Sequence, residues 1–251
     1  MINIDNEKHL ITFDNLNIIN CFTLKPYNFR DTQVSSDEQQ EEYNKIMNDL
    51  NFKAKFIKPN QTHTNNVEIV TENNIDDKFL NTDGLLTNLK NVALVVSLAD
   101  CQGILLYDKN KQVIGAVHSG WKGTLNKIVE NAVNLMINKF NSNPENIEAY
   151  ITPSILKCCF EVDKDVVDMF KEKYNNIDDL ITLGDIKEEK QKYYIDTVEI
   201  NKRVLLNLGL KNENIILSNI CSKCNNNIIH SHRADGINSG RNIALICMTE
   251  S

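Results

Sequence analysis

Three residues far apart in the chain carry side chains that bind transition metals. They are His63 in Gln61-Thr62-His63-Thr64, Cys101 in Ala99-Asp100-Cys101-Gln102-Gly103, and His118 in Val117-His118-Ser119-Gly120-Trp121-Lys122-Gly123. Two imidazoles and a thiolate suit zinc, and three protein ligands leave a fourth position for water or substrate. Such a site lowers the pKa of bound water from ~16 to about 7, which makes hydroxide available at neutral pH. Taken singly, each residue reads more simply as a satisfied core histidine or an inert buried cysteine. Their flanks argue otherwise: Asp100 beside Cys101 and the glycines around His118 are poor choices for plain core packing. These three are the candidate metal ligands and the candidate catalytic set.

Other polar residues extend the pattern. Gly120-Trp121-Lys122-Gly123 leads into a helical stretch, and a helix N-terminus favours anions, so Lys122 is a candidate for holding a phosphate. Arg233 and Arg241 bracket a turn in Ser231-His232-Arg233-Ala234-Asp235-Gly236 and Ser239-Gly240-Arg241. Guanidinium groups grip phosphate bidentately, although surface charge in a tight turn accounts for them equally well. Asp83-Gly84 is either a turn or a carboxylate aimed at the site. Cys221-Ser222-Lys223-Cys224 suggests a structural zinc, but a closed site needs four ligands. Cys158-Cys159, or His230 and His232, would have to complete it, and the expectation is that they do not.

The elements that must position these residues are mostly strands. Residues 92–99 form a dense β-branched run, expected to be a buried strand. Residues 104–107 and 113–117 follow, joined by a turn at Asp108-Lys109-Asn110-Lys111, and such a hairpin would return the chain from Cys101 to His118. Short strands are also expected at 11–13, 18–23, 148–152, 215–220 and 243–248. Residues 36–50 read as a helix with Ser36 and Gln39 as a capping box. Residues 125–140 read as one long helix with a single apolar stripe. Asp163 caps another helix, and Asp196 with Glu199 starts a further one that ends at Gly209. Strands cluster and helices intervene irregularly, so α+β is expected, with residues 1–251 as a single domain.

Bulk properties narrow the function classes. The 251 residues suffice for a substantial core. A net charge of −7 disfavours general affinity for nucleic acid or anionic membranes. The longest apolar runs are too short to span a bilayer, and residues 1–10 lack the pattern of a signal peptide. A cytoplasmic location is expected, with the seven cysteines reduced.

Together these segments resemble the YfiH family, once described as laccase-like polyphenol oxidases and linked to purine nucleoside phosphorylase activity. The resemblance rests on Gln61-Thr62-His63, Thr82-Asp83-Gly84-Leu85, Ala99-Asp100-Cys101, His118-Ser119-Gly120-Trp121-Lys122-Gly123, Cys158-Cys159-Phe160-Glu161-Val162 and the stretch 231–241. It implies a mixed β-sandwich core with flanking helices, and zinc held by His63, Cys101 and His118. It also implies phosphate-dependent cleavage of adenosine, inosine, guanosine and methylthioadenosine, with deamination of adenosine, so purine nucleosides and inorganic phosphate are the expected partners. Asp83, Lys122, Arg233 and Arg241 are the expected substrate-binding residues. The N-terminal quarter departs from the pattern: Phe22-Thr23-Leu24-Lys25 replaces a Phe-Ser-Thr-Arg-like start, and Asn44-Lys45 replaces Asn-Arg. Lysine keeps the charge but loses the planar fork, so phosphate affinity is the property this departure bears on.

Three other readings compete. A copper oxidase needs many histidines, and this chain has five, although copper could occupy the zinc site adventitiously. A cysteine hydrolase, with Cys101 attacking and His118 as base, is chemically sensible and would suit amide cleavage in peptidoglycan precursor editing. A metal-stabilised binding module would unfold on losing its ion, whereas a catalytic site would lose turnover with the fold intact.

Overall fold

The structure is a computed structural model that describes residues 2–13 and 18–250. Met1, Ser251 and residues 14–17, which the expected 1–251 domain includes, lie outside the described residues. The first six-stranded sheet runs β1 (Ile2–Asp5), β2 (Leu10–Phe13), β3 (Ile19–Thr23), β15 (Asn242–Cys247), β7 (Val92–Leu98), β4 (Lys55–Ile57). The second runs β14 (Ile215–Leu217), β10 (Ile147–Ile151), β8 (Gln102–Asp108), β9 (Val113–Ser119), β6 (Gly84–Thr87), β5 (Val67–Ile69). A small third sheet pairs β11 (Glu161–Val162), β13 (Lys190–Ile195) and β12 (Ile181–Lys187). The helices are α1 (Ser36–Asp49), α2 (Trp121–Leu125), α3 (Ile128–Phe140), α4 (Lys164–Lys173), α5 (Thr197–Asn207) and α6 (His232–Asp235). Among the described residues, no helix is long and apolar enough to cross a membrane.

The two large sheets pack face to face, as alternation along their central strands dictates. On β7, Leu94, Val96 and Leu98 point into the space between the sheets, where they meet Leu105 and Tyr107 of β8 and Ile114 and Ala116 of β9. The intervening residues Ala93 and Val95 face the other way, against Tyr43 and Ile46 of α1. Likewise Ile104, Leu106, Val113 and Val117 back onto α3 and α5. Both faces of these strands are thus buried, which is why 92–98 reads as an unbroken apolar run rather than an alternating one. Each fully buried Leu, Ile or Val stabilises the sandwich by about 1.5–3 kcal/mol. Pairing is mixed: β4–β7, β5–β6 and β10–β14 are parallel and the remaining pairs antiparallel. This is the α+β sandwich the sequence suggests.

Two helices differ from expectation. The N-cap of α1 is Ser35, not Ser36: its hydroxyl accepts from the Glu38 N–H and the Glu38 carboxylate accepts from the Ser35 N–H. The acidic partner at the third position makes the better capping box, and it carries the charge a helix N-terminus favours. The stretch 125–140 is not one helix. α2 starts at Trp121 with Gly120 as N-cap, and Lys127 then adopts φ +58° and starts a new segment, α3. The backbone turns at Lys127, and the apolar residues on either side of the break serve different clusters: Leu125 packs with Ile155 and Phe160, and Ile128 with Val117 and Val129.

Candidate metal centre

The β8–β9 hairpin sets the first distance of the site. Gly103 pairs with His118 and Gln102 with Ser119, so Cys101, one residue ahead of β8, emerges beside the His118 side chain. His63 arrives from the loop after β4. That loop is tied to β7 by Gln61, whose amide donates to the Ser97 carbonyl (2.9 Å) and accepts from the Ser97 N–H (2.7 Å). The donor atoms of His63, Cys101 and His118 lie within 4.8 Å of one another, and the two imidazoles meet edge-to-face with centroids 4.9 Å apart. One cation ~2.0–2.3 Å from each atom would gather all three.

Asp83 organises this set. Its carboxylate is fully buried and accepts five hydrogen bonds: from the N–H groups of Thr62 (3.2 Å), His63 (3.0 Å) and Thr64 (2.8 Å), from the Thr64 hydroxyl (2.8 Å), and from His118 Nδ1 (2.7 Å). The bond to Nδ1 leaves His118 Nε2 for the site, the arrangement by which carboxylates orient metal-binding imidazoles. His63 and Asp100 both hold positive φ, +63° and +80°. For non-glycine residues this conformation costs about 1–3 kcal/mol. The surrounding bonds hold both in place: His63 through Asp83, and Asp100 through Ser222 Oγ (2.6 Å) and the Arg233 N–H (2.6 Å). A Cβ on Gly120 would lie 3.0 Å from both Cys101 Sγ and a His63 ring carbon, so any larger residue there would press both ligand side chains out of their present positions.

The electrostatics follow from these contacts. Burial pushes the Cys101 thiol up, but the His118 and His63 imidazoles outweigh it and bring it down to about 6. Burial lowers His118, and the Cys101 and Asp83 charges overcome this and raise it to about 9. Burial also opposes the Asp83 charge, yet its bonds to His118 and Thr64 hold it well below the usual carboxylate range. In metal-free protein, Cys101 is therefore expected to react with iodoacetamide increasingly as pH rises through about 6, since only the thiolate attacks. Loss of the imidazole in His118→Ala should move that midpoint up towards the ordinary 9.0. Peptide mapping of the labelled protein measures both, and a wild-type midpoint near that ordinary value would contradict the arrangement.

The three residues line a cavity of about 690 Å³, within the range of small-ligand sites. Its walls also carry Arg30, Lys58, Arg233 and Arg241, with Phe29, Trp121 and Phe160 as apolar surfaces. Arg233 donates to the Cys159 and Glu161 carbonyls and lies over the Phe160 ring. Arg30 and Arg241 share the Ser239 carbonyl, at 2.8 and 3.1 Å. Among the described residues, the arginine ion pairs recorded are those of Arg203 alone, so these three guanidiniums retain their charge for a ligand.

Not every expected residue reaches the cavity. Lys122 sits one position beyond the cavity-lining Trp121, about a quarter-turn round α2, and its Nζ lies over the Trp121 ring, 5.7 Å from the centroid. Asp83 lies behind His118 and presents no surface to the cavity. Lys45 stacks over Tyr27, and Lys25 is bound to Asn226 and Asp235, so neither lysine of the atypical N-terminal quarter lines the cavity. Arg30 and Lys58, which spacing did not single out, do. Sequence reasoning also missed Asn201, whose amide bonds Gln102, Ser119 and Thr124 in a buried network behind the site. Cys221 and Cys224, expected to stand alone, have Cys158 and Cys159 beside them.

Residues 25–249 match the family described as "Multi-copper polyphenol oxidoreductase laccase". The chain belongs to this family. It is 35% identical over 203 residues to "Purine nucleoside phosphorylase YlmD" of Bacillus subtilis, spanning 78% of this chain and 72% of that protein. It is 33% identical over 193 residues to "Adenosine deaminase RL5" from an unknown prokaryotic organism, spanning 74% and 72% respectively. Among solved structures it is similar to Bacillus licheniformis YfiH, with a TM-score of 0.89, 26% identity and 99% of both chains covered. Family members thus carry names from oxidase, phosphorylase and deaminase chemistry alike, and the choice among them for this chain rests on the site.

Proposed function

We propose that this chain is a zinc-dependent purine nucleoside phosphorylase that also deaminates adenosine, with His63, Cys101 and His118 holding the ion. One observation carries the reading: a two-imidazole, one-thiolate donor set opens into a cavity whose walls combine guanidiniums with aromatic faces. Relatives named for phosphorolysis and deamination support it. The donor set suits zinc, with a low-pKa thiol, a histidine already oriented by a carboxylate, and a glycine that clears the approach. A bound zinc ion supplies Lewis acidity.

The chain's own residues do the rest. Arg30, Arg233 and Arg241 bind phosphate and offset its charge, while Phe29, Trp121 and Phe160 offer faces for the purine. In phosphorolysis a phosphate oxygen forms a bond to C1′ of the ribose. The C1′–N9 bond breaks and its electron pair leaves with the purine, which takes up a proton. Positioning of the anion and stabilisation of the developing charge are the protein's main contribution to such a transfer.

Arg241→Lys tests this reading, because lysine retains charge but not the fork. The expected result is phosphate-dependent release of adenine from adenosine in the wild type. In the variant, the KM for phosphate should rise about tenfold, the equivalent of ~1.4 kcal/mol. Release that ignores phosphate altogether would sink phosphorolysis.

A second reading has its own observation. Asp83, His118 and Cys101 form an ordered carboxylate–imidazole–thiol series, the arrangement of a cysteine nucleophile. Chelation separates the two: it abolishes turnover if zinc is the cofactor and leaves it intact if Cys101 attacks.

A further inference from the structure

A second group of potential ligands lies away from the His63–Cys101–His118 set. The paired Cys158-Cys159 sits in the turn ahead of β11, where the Cys159 N–H donates to the Leu156 carbonyl (2.9 Å). Cys221 and Cys224 lie in the turn after β14, closed by the Asn225 N–H donating to the Cys221 carbonyl (3.0 Å). A parallel bridge between Ser154 and Cys221 brings the two turns together. Cys224 Sγ stands 3.5 Å from Cys159 Sγ and 3.8 Å from Cys158 Sγ, and all four sulfurs lie within 4.8 Å of one another.

We infer that Cys158, Cys159, Cys221 and Cys224 form a second metal centre, a closed four-thiolate zinc site. Zinc–sulfur bonds of ~2.3 Å at tetrahedral angles place sulfurs about 3.8 Å apart, close to the 3.8 and 3.5 Å from Cys224 to Cys158 and Cys159. A disulfide would draw two sulfurs to ~2.05 Å and leave the other two unused, and all seven cysteines are free thiols. Tetrahedral four-sulfur sets select zinc or iron–sulfur chemistry, and this spacing leaves room for one ion, not a cluster between the sulfurs. Loading is a proton exchange without electron transfer: four thiols and one Zn²⁺ give a four-coordinate dianion and four protons. Lys157 and Lys223 flank the ligands in sequence and partly offset that charge.

The centre clips together two segments that buttress cavity-lining residues. Arg233 is held by the carbonyls of Cys159 (3.3 Å) and Glu161 (3.0 Å). Ser222, between the other two ligands, donates to Asp100 beside Cys101. The metal is thus a structural clip behind Arg233, with no open coordination position and no contact with substrate.

Metal content of the purified full chain tests this independently of any activity. Wild type is expected to carry two zinc ions per chain. Cys158→Ser with Cys224→Ser should keep one, and His63→Ala with His118→Ala should also keep one, at the other site. A wild type with a single ion that is lost in the histidine variant would overturn the inference, and iron in place of zinc would overturn the assigned identity. Should the serine variant fail to fold, the wild type decides: the exposed Cys158 and Cys224 are expected to alkylate at least tenfold more slowly in zinc-loaded protein than after chelation. Equal rates would overturn the proposal.

Discussion

Cys101→Ser is expected to lower phosphate-dependent cleavage of adenosine by about 10³-fold or more, with the protein still folded. Lewis-acid assistance is worth several kcal/mol, and ~4 kcal/mol corresponds to ~10³ in rate. Serine keeps nearly the same shape, but its hydroxyl does not ionise at neutral pH and is a poor ligand for zinc. Cys101 is only partly buried and contributes little to the core, so the melting temperature of the metal-free protein should barely change. Zinc at this site should fall in parallel with turnover. Activity in the serine variant within tenfold of wild type would show that the thiolate is not needed.

Asp83→Ala should be costly in a different currency, that of folding. The carboxylate accepts from three consecutive backbone N–H groups, a hydroxyl and an imidazole. Removing it strands those donors in the interior, and each buried unpaired donor costs about 1–3 kcal/mol. Some will find water, so a net loss of ~3–5 kcal/mol is expected, against a total stability on the order of 5–15 kcal/mol. The loop carrying His63 would lose its anchor and His118 its orientation, and zinc affinity should drop 10–100-fold. Urea unfolding and metal titration measure the two effects separately. A variant within about 1 kcal/mol of wild type would mean that the 62–64 loop is held elsewhere.

Much of the site was legible because its residues sit at the ends of elements with strong local signals. The apolar run of β7 and the Asp108 turn fix the hairpin, and with it the approach of Cys101 to His118. Asp196 as a cap and Gly209 as a stop bound α5 with the same clarity. The cavity's cationic wall was only half legible. Arg233 and Arg241 lie in glycine-rich turns that draw attention, whereas Arg30 and Lys58 come from unremarkable stretches and reach the cavity through tertiary packing. The break between α2 and α3 falls at Asn126-Lys127, with neither glycine nor proline to mark it. The β12–β13 hairpin escaped notice because burial is confined to its base, at Ile195 with Ile181 and Tyr193 packed beside it, while Leu183 and Ile186 are 73% and 71% exposed, so no core-facing alternation runs along it. The fourfold cysteine group was invisible for a third reason. Its halves, Cys159 and Cys221 at their nearest, are 62 positions apart in sequence, and they meet through the β10–β14 pairing and the bridge at Ser154.

The origin of the three ligands has a mechanical corollary. His63 follows a strand of the first sheet, His118 ends a strand of the second, and Cys101 lies on the crossover between them. An ion gripped by all three acts as a rivet through both leaves, and neither leaf can slide over the other without shearing a coordinate bond. The pace at which a strong chelator strips the protein then measures how often the leaves part, and it is set by the breathing of the β-sandwich rather than by the chelator's own appetite for zinc.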